Sequence, residues 1–134
     1  MSLIEKKLKQ FSKKFANYIA IETCDFIITY KELYLYVSYL TKVLSSSKEK
    51  NIIIYGEKKS LCIIAILACL FSGITYIPVS KSTPLYRLKK IIKKTKSNII
   101  INCSKIKINL KIKKINIHDL SFLKKNLFQV LILK

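Results

Sequence analysis

Glycine is almost missing from this chain: Gly56 and Gly73 are the only two in 134 residues. A loop that cradles phosphates brings several backbone N–H groups close to the ligand and needs glycines clustered together, so no such loop is encoded here. Histidine occurs once, at His118, and the four cysteines, Cys24, Cys62, Cys69 and Cys103, include no C-x-x-C pair. Neither a zinc site nor a haem attachment has its ligands, and no metal-binding residue is assigned. The wide cysteine spacing fits reduced thiols in a cytoplasmic protein, with Cys62 and Cys69 two turns apart on one helix face as small buried hydrophobes. Acidic residues number 7 against 26 Lys+Arg, a formal charge of +19, and Arg87 is the sole arginine. Such an excess points first to nucleic acid or an anionic surface. The lysines are nevertheless spread along the whole chain beside about two dozen isoleucines, which describes a solvated surface over an aliphatic core. The opening MSLIEKKLKQFSKKF carries a charge every few positions and no apolar stretch of signal-peptide length.

What is present is an alternation of elements. The chain is 51% hydrophobic, enough for one modest core and too short for two ordinary domains, so residues 1–134 read as a single domain or part of one. Leu8, Phe11 and Phe15 recur at helical spacing among lysines, which predicts an amphipathic helix over Leu3–Phe15 packing on the domain. Ile19–Thr23 and Phe26–Ile28 read as a short hairpin around Cys24-Asp25. Thr29 followed three residues later by Glu32 is a capping box, and Leu33, Tyr36, Val37, Leu40, Val43 and Leu44 then share one helix face. NIIIYG, ITYIPV and Asn98–Ile101 are buried-type strands, the second carrying Pro78 near its end. Between them, Leu61–Phe71 is apolar all round and stops at Gly73. Thr83 is placed to cap a helix in which Pro84 is the first residue and Leu85, Leu88, Ile91 and Ile92 face inward. Apolar strands separated by helices of ordinary length describe βαβ units, and so an α/β fold with a parallel sheet flanked by helices.

A membrane span is the competing reading of Leu61–Val79, 19 residues without a charge. The Ser72-Gly73 break after eleven apolar residues, and the β-branched run ending at Pro78, favour a buried helix followed by a strand.

Taken together, ITYKELYLYVSYL, then IIIYGEKKSLCIIAILACLFSGITYIPVSKSTPLYRLKKII, then NIIIN resemble the N-terminal part of the adenylate-forming enzymes, including amino-acid adenylation domains and D-alanine:carrier-protein ligases. The matching positions are Thr29, Tyr30, Glu32 and Leu33 of the Thr-Tyr-x-Glu-Leu segment, the Ser72-Gly73 stop, Tyr76 and Pro78 of the aromatic-Ile-Pro-Val strand, and Pro84 and Arg87 of Pro-x-x-Arg-Leu. The likeness runs over residues 19–101, in order, and Ile54–Gly56 leans toward the D-alanine branch; residues 102–134 read as a variable region and a truncated end.

The resemblance implies an incomplete N-terminal subdomain of the adenylate-forming fold. It implies chemistry in which a carboxylate attacks the α-phosphate of ATP, with Mg²⁺ present, before a carrier-protein thiol takes the acyl group. The family's Ser-Gly-Ser/Thr-Thr-Gly-x-Pro-Lys segment is missing from this sequence, so no catalytic or cofactor-binding residue carries over and the residues present are expected to be inactive alone. The expected partner is the remainder of the enzyme or a complementary chain, together with the carrier protein of the intact enzyme. Ser80 stands where many members have Asp. The remaining singled-out residues have structural readings: Arg87 as a partner of a nearby carboxylate or carbonyl, His118-Asp119 as surface or cap residues, and Tyr34, Tyr36 and Tyr39 as helix-face residues. The alternative is a freestanding basic protein that binds nucleic acid or an anionic membrane, with affinity falling steeply as salt rises.

Overall fold

Thr29 begins the longest helix by the means its sequence suggests. Its Oγ1 accepts the Glu32 N–H at 3.3 Å while the Glu32 carboxylate takes the Thr29 N–H at 2.9 Å, a reciprocal cap on orphan donors. In the computed structural model, which describes residues 2–57, 59–117, 121 and 123–125, this helix is α2, Tyr30–Ser45. It follows α1 (Leu3–Lys14), β1 (Ile19–Glu22) and β2 (Ile27–Thr29), and precedes β3 (Asn51–Gly56), α3 (Ser60–Ser72), β4 (Thr75–Ser80), α4 (Leu85–Thr95), β5 (Ile99–Asn102) and β6 (Lys113–Asn116).

The first two strands form an antiparallel hairpin. The other four form one parallel sheet in the order β4-β3-β5-β6. Residues alternate between its faces, as the pleat requires. Ile52, Ile54, Ile99 and Ile101 pack with α1, α2 and α3, while Ile53, Tyr55 and Ile100 pack with α4 and the loop after β5. Each central strand is therefore buried on both sides, which is why β3 and β5 read as continuous isoleucine runs.

Three boundaries carry physical information. Gly73 ends α3 at φ +68°, and the Ile74 N–H to Cys69 carbonyl and Gly73 N–H to Leu70 carbonyl bonds, 2.9 and 3.3 Å, complete a Schellman stop. The start of α4 differs from its sequence reading: Pro84, extended at ψ 149°, is the N-cap and Leu85 the first helical residue. Proline supplies no capping oxygen, and Thr83 N–H turns back to the Ser80 carbonyl at 3.0 Å. Strand β6 has no definite place in the sequence reading; it is an edge strand among the described residues, with Lys113 exposed and Lys114 half-buried, its Nζ donating to the Leu110 carbonyl at 2.7 Å. Among the described residues no helix is long and apolar enough to cross a membrane, and the Leu61–Val79 run divides into α3 and β4. His118-Asp119 lies outside the described residues.

Candidate functional site

The strand order creates the site. From β3 the chain crosses through α3 to β4 on one side, then returns through α4 to β5 on the other. The segments leaving β3 and β5 thus diverge to opposite faces of the sheet, and in open parallel sheets a ligand crevice lies outside the carboxyl ends at such a point. A crevice of about 590 Å³ opens there, walled by Glu57 and Lys59 after β3, Lys81 after β4, Cys103 to Ile106 after β5, Cys62 of α3, and Asp25 and Phe26 of the hairpin.

Its rim is a chain of alternating charge. Lys81 Nζ lies 2.6 Å from Glu57 Oε1, Lys59 Nζ 3.2 Å from Glu57 Oε2, and Lys59 Nζ 3.3 Å from Asp25 Oδ2. Lys81 first, then Lys59, holds the Glu57 carboxyl below its ordinary range. The Cys24 thiol, donating to Asp25 Oδ1 at 3.3 Å, and then Lys59 hold Asp25 down, while Glu57 and Asp25 together raise Lys59. Each of these side chains is about a third or more exposed, so the chain orients the loops without adding much stability.

The floor is less polar. Gly56 ends β3 with the Cys62 thiol and Cys103 against its Cα. Beside it, Asn102, 2% exposed, organises the loop after β5: Nδ2 donates to the Ile106 carbonyl at 2.7 Å, and Oδ1 accepts the Ser104 N–H and hydroxyl at 3.0 and 2.7 Å.

The residues singled out from sequence sit elsewhere. Thr29 and Glu32 cap α2, Leu33 and Tyr36 are buried in the helical layer, and Tyr30 stacks edge-on to Phe11 at 5.7 Å. Burial first, then Glu32, pushes the Tyr36 hydroxyl up to about 12, and burial raises Tyr39. Gly73 lies at the opposite end of the sheet from the crevice. Tyr76 and Pro78 lie on edge strand β4, and Arg87 is exposed on α4 with no carboxylate paired to it among the described residues. Asp25, Glu57, Lys59, Lys81 and Asn102 were not recognisable as a group. The available signal was positional: polar residues following the buried runs IIIYG and IIIN mark the carboxyl ends of parallel strands.

A nucleotide triphosphate and its metal do not fit these residues. Gly56 is sealed by two cysteines, Gly73 terminates a helix, and among the described residues no group of three His, Cys, Asp or Glu side chains gathers to hold a cation.

Beside the crevice, an apolar groove of about 790 Å³ runs between α3 and β4, lined by Ile54, Ile63, Ile66, Tyr76, Pro78 and Val79. Among the described residues no strand pairs with the outer edge of β4, so this side of the sheet is open there.

Comparison with known proteins places this geometry. The sequence model described as AMP-binding enzyme matches residues 8–127. A D-alanine–D-alanyl carrier protein ligase of Listeria monocytogenes serotype 4b is 32% identical over 115 residues, covering 83% of this chain and 22% of that protein. The chain thus spans about a fifth of the length of such curated relatives. The nonribosomal peptide synthetase FmoA3 in its α-methyl-L-serine-AMP-bound form superposes with a TM-score of 0.75 at 16% identity, over 86% of this chain and 14% of that one. The N-terminal subdomain of Klebsiella oxytoca NpsA does so with a TM-score of 0.70 at 18% identity, over 92% of this chain and 33% of that one.

Proposed function

The chain belongs to the AMP-binding enzyme family, and from that premise we propose that it forms the N-terminal portion of an ATP-dependent ligase that activates an amino acid for transfer to a carrier protein. The observation that carries this reading is the match of residues 8–127 to the family beside 32% identity to a D-alanine–D-alanyl carrier protein ligase. In this proposal residues 1–134 act as one structural unit and supply scaffold. They contain no glycine-rich loop, so no step of adenylation is assigned to them, and by themselves they are inactive.

The open side of the sheet supports a partner of the same enzyme. The α3–β4 groove and the β4 edge, which no described strand pairs, are an apolar surface and a row of backbone groups, both of which more of an adenylating enzyme would cover. The family-motif positions Thr29, Tyr30, Glu32, Leu33, Gly73, Tyr76, Pro78, Pro84 and Arg87 are proposed to serve this scaffold by setting helix ends and the β4 edge. Free thiols at all four cysteines, and the ATP dependence proposed for the intact enzyme, support a cytoplasmic setting.

The test is a chimera. Residues 8–127 replace the matching segment of the Listeria ligase, and D-alanine-dependent ATP–pyrophosphate exchange is measured. Exchange by a folded chimera, with none by the isolated chain, is expected. A chimera that is soluble and folded yet silent would overturn the scaffold role, and exchange by the isolated chain would overturn its inactivity.

A further inference from the structure

Two cysteines from different elements converge on one backbone position. A Cβ built on Gly56 would meet Cys62 Sγ at 2.9 Å and Cys103 Cβ at 3.1 Å, so both side chains lie within contact distance of a point that only glycine leaves empty. Cys62 belongs to the first turn of α3, and Cys103 follows β5, anchored by its N–H to the Tyr55 carbonyl at 2.8 Å. Both thiols are free, and both residues line the switch-point crevice, Cys62 buried and Cys103 half-buried.

The two thiols sit in different surroundings, Cys62 in the first turn of α3 and Cys103 in the loop after β5. The Cys103 thiol, and then the backbone at Lys59, draw the Cys62 thiol below its ordinary value against burial and the nearby Glu57 carboxylate. A place in the first turn of a helix favours a thiolate in the same sense. Cys103 is pushed the other way, by Cys62 first and then by burial. Cys69, two turns deeper on α3 and fully buried, is raised to about 12 by burial and stays out of the exchange.

We propose that Cys62 and Cys103 are a dithiol modification site, closed to a reversible disulfide by a low-molecular-weight disulfide entering the crevice. The Cys62 thiolate attacks one sulfur of the small disulfide, breaks its S–S bond and expels the first small thiolate, leaving a mixed disulfide on Cys62. Cys103 then loses its proton and attacks the Cys62 sulfur, forming the Cys62–Cys103 bond and expelling the second small thiolate. The two cysteines are oxidised by two electrons, and the small disulfide is reduced to two thiols. The bridge ties α3 to the end of β5, the two segments that diverge at the crevice, and fixes its floor. This inference is independent of the ligase reading, since it needs only these two elements and Gly56.

The experiment exposes the purified chain to oxidised glutathione, blocks remaining thiols with N-ethylmaleimide, and maps unreduced tryptic peptides by mass spectrometry with fragmentation. A cross-link between residues 60–81 and 97–105, assigned to Cys62 over Cys69 and released by dithiothreitol, is expected. Cys24→Ser and Cys69→Ser retain it, Cys103→Ser halts at the mixed disulfide on Cys62, and Gly56→Ala, which crowds the thiols, lowers its yield. Full alkylation of Cys62 and Cys103 after oxidation, or a lasting glutathione adduct on wild-type Cys62 with no cross-link, would overturn the proposal; the wild-type map alone decides it.

Discussion

Thr23 Oγ1 and Ser60 Oγ lie 2.8 Å apart across 37 positions of sequence. The bond fastens the β1–β2 hairpin to the first turn of α3, which is what hangs Asp25 and Phe26 over the crevice. Ser60 is fully buried, so its hydroxyl has no ready exchange with water. Ser60→Ala is expected to cost about 1 kcal/mol, read as a lower urea midpoint at unchanged slope. Ser60→Ala combined with Thr23→Val should cost less than the two separately, because the pair is lost only once. Additive losses would show that the two hydroxyls act independently.

Most of the fold is local chemistry and so is legible residue by residue. The Thr29–Glu32 box, the helical stripe from Leu33 to Leu44, the glycine stop at Gly73 and the isoleucine runs of β3 and β5 all depend on neighbours within a few positions. The site is not local. Asp25, Glu57, Lys81 and Cys103 are gathered by strand order, and no spacing in the chain encodes which side of β3 receives β5. Edge strand β6 is obscure for another reason: KKIN offers a single apolar residue, Ile115, to the core, so it lacks the apolar run that marks β3 and β5.

Gly73 and Gly56 are needed for different reasons, and substitution separates them. At Gly73 nothing lies within 4 Å of an added Cβ, but φ is +68°, so Gly73→Ala carries backbone strain of about 1–2 kcal/mol with no clash. Gly73→Asn should lose less, since asparagine tolerates the left-handed region. Chemical denaturation of the two variants checks the order, and equal losses would contradict it.

Asn102 holds the loop that carries Cys103 and Ser104. Asn102→Ala strands the Ser104 N–H and the Ile106 carbonyl, bonded at 3.0 and 2.7 Å. The expected loss is about 1–3 kcal/mol, reduced to the extent that water reaches the freed groups. Hydrogen exchange locates it: the Ser104 amide should lose protection, while amides in α2, remote from this loop, change only with global stability. Unchanged exchange at Ser104 would mean that the loop is held by Ile108 packing alone.

Acid should loosen the crevice rim before it touches the core. Asp25 and Glu57 both titrate below their ordinary values of 3.8 and 4.5, through Cys24 and Lys59 for the first and Lys81 and Lys59 for the second. A carboxylate depressed by folding contributes stability above its unfolded value and loses it as pH falls through the folded one. The rim contacts are therefore intact at neutral pH and are lost as pH falls through the depressed values, below 3.8 for Asp25 and below 4.5 for Glu57. Lys59 is raised, so its contribution is complete at neutral pH and fades only as pH rises beyond its ordinary 10.5. Because these groups are exposed, added salt should weaken the effect. Carboxyl NMR titration is the check: Lys59→Met should move both carboxylates back toward their ordinary values, whereas Lys81→Met should move Glu57 and leave Asp25 in place. A shift of Asp25 with Lys81→Met would show that the charges act as one cooperative chain.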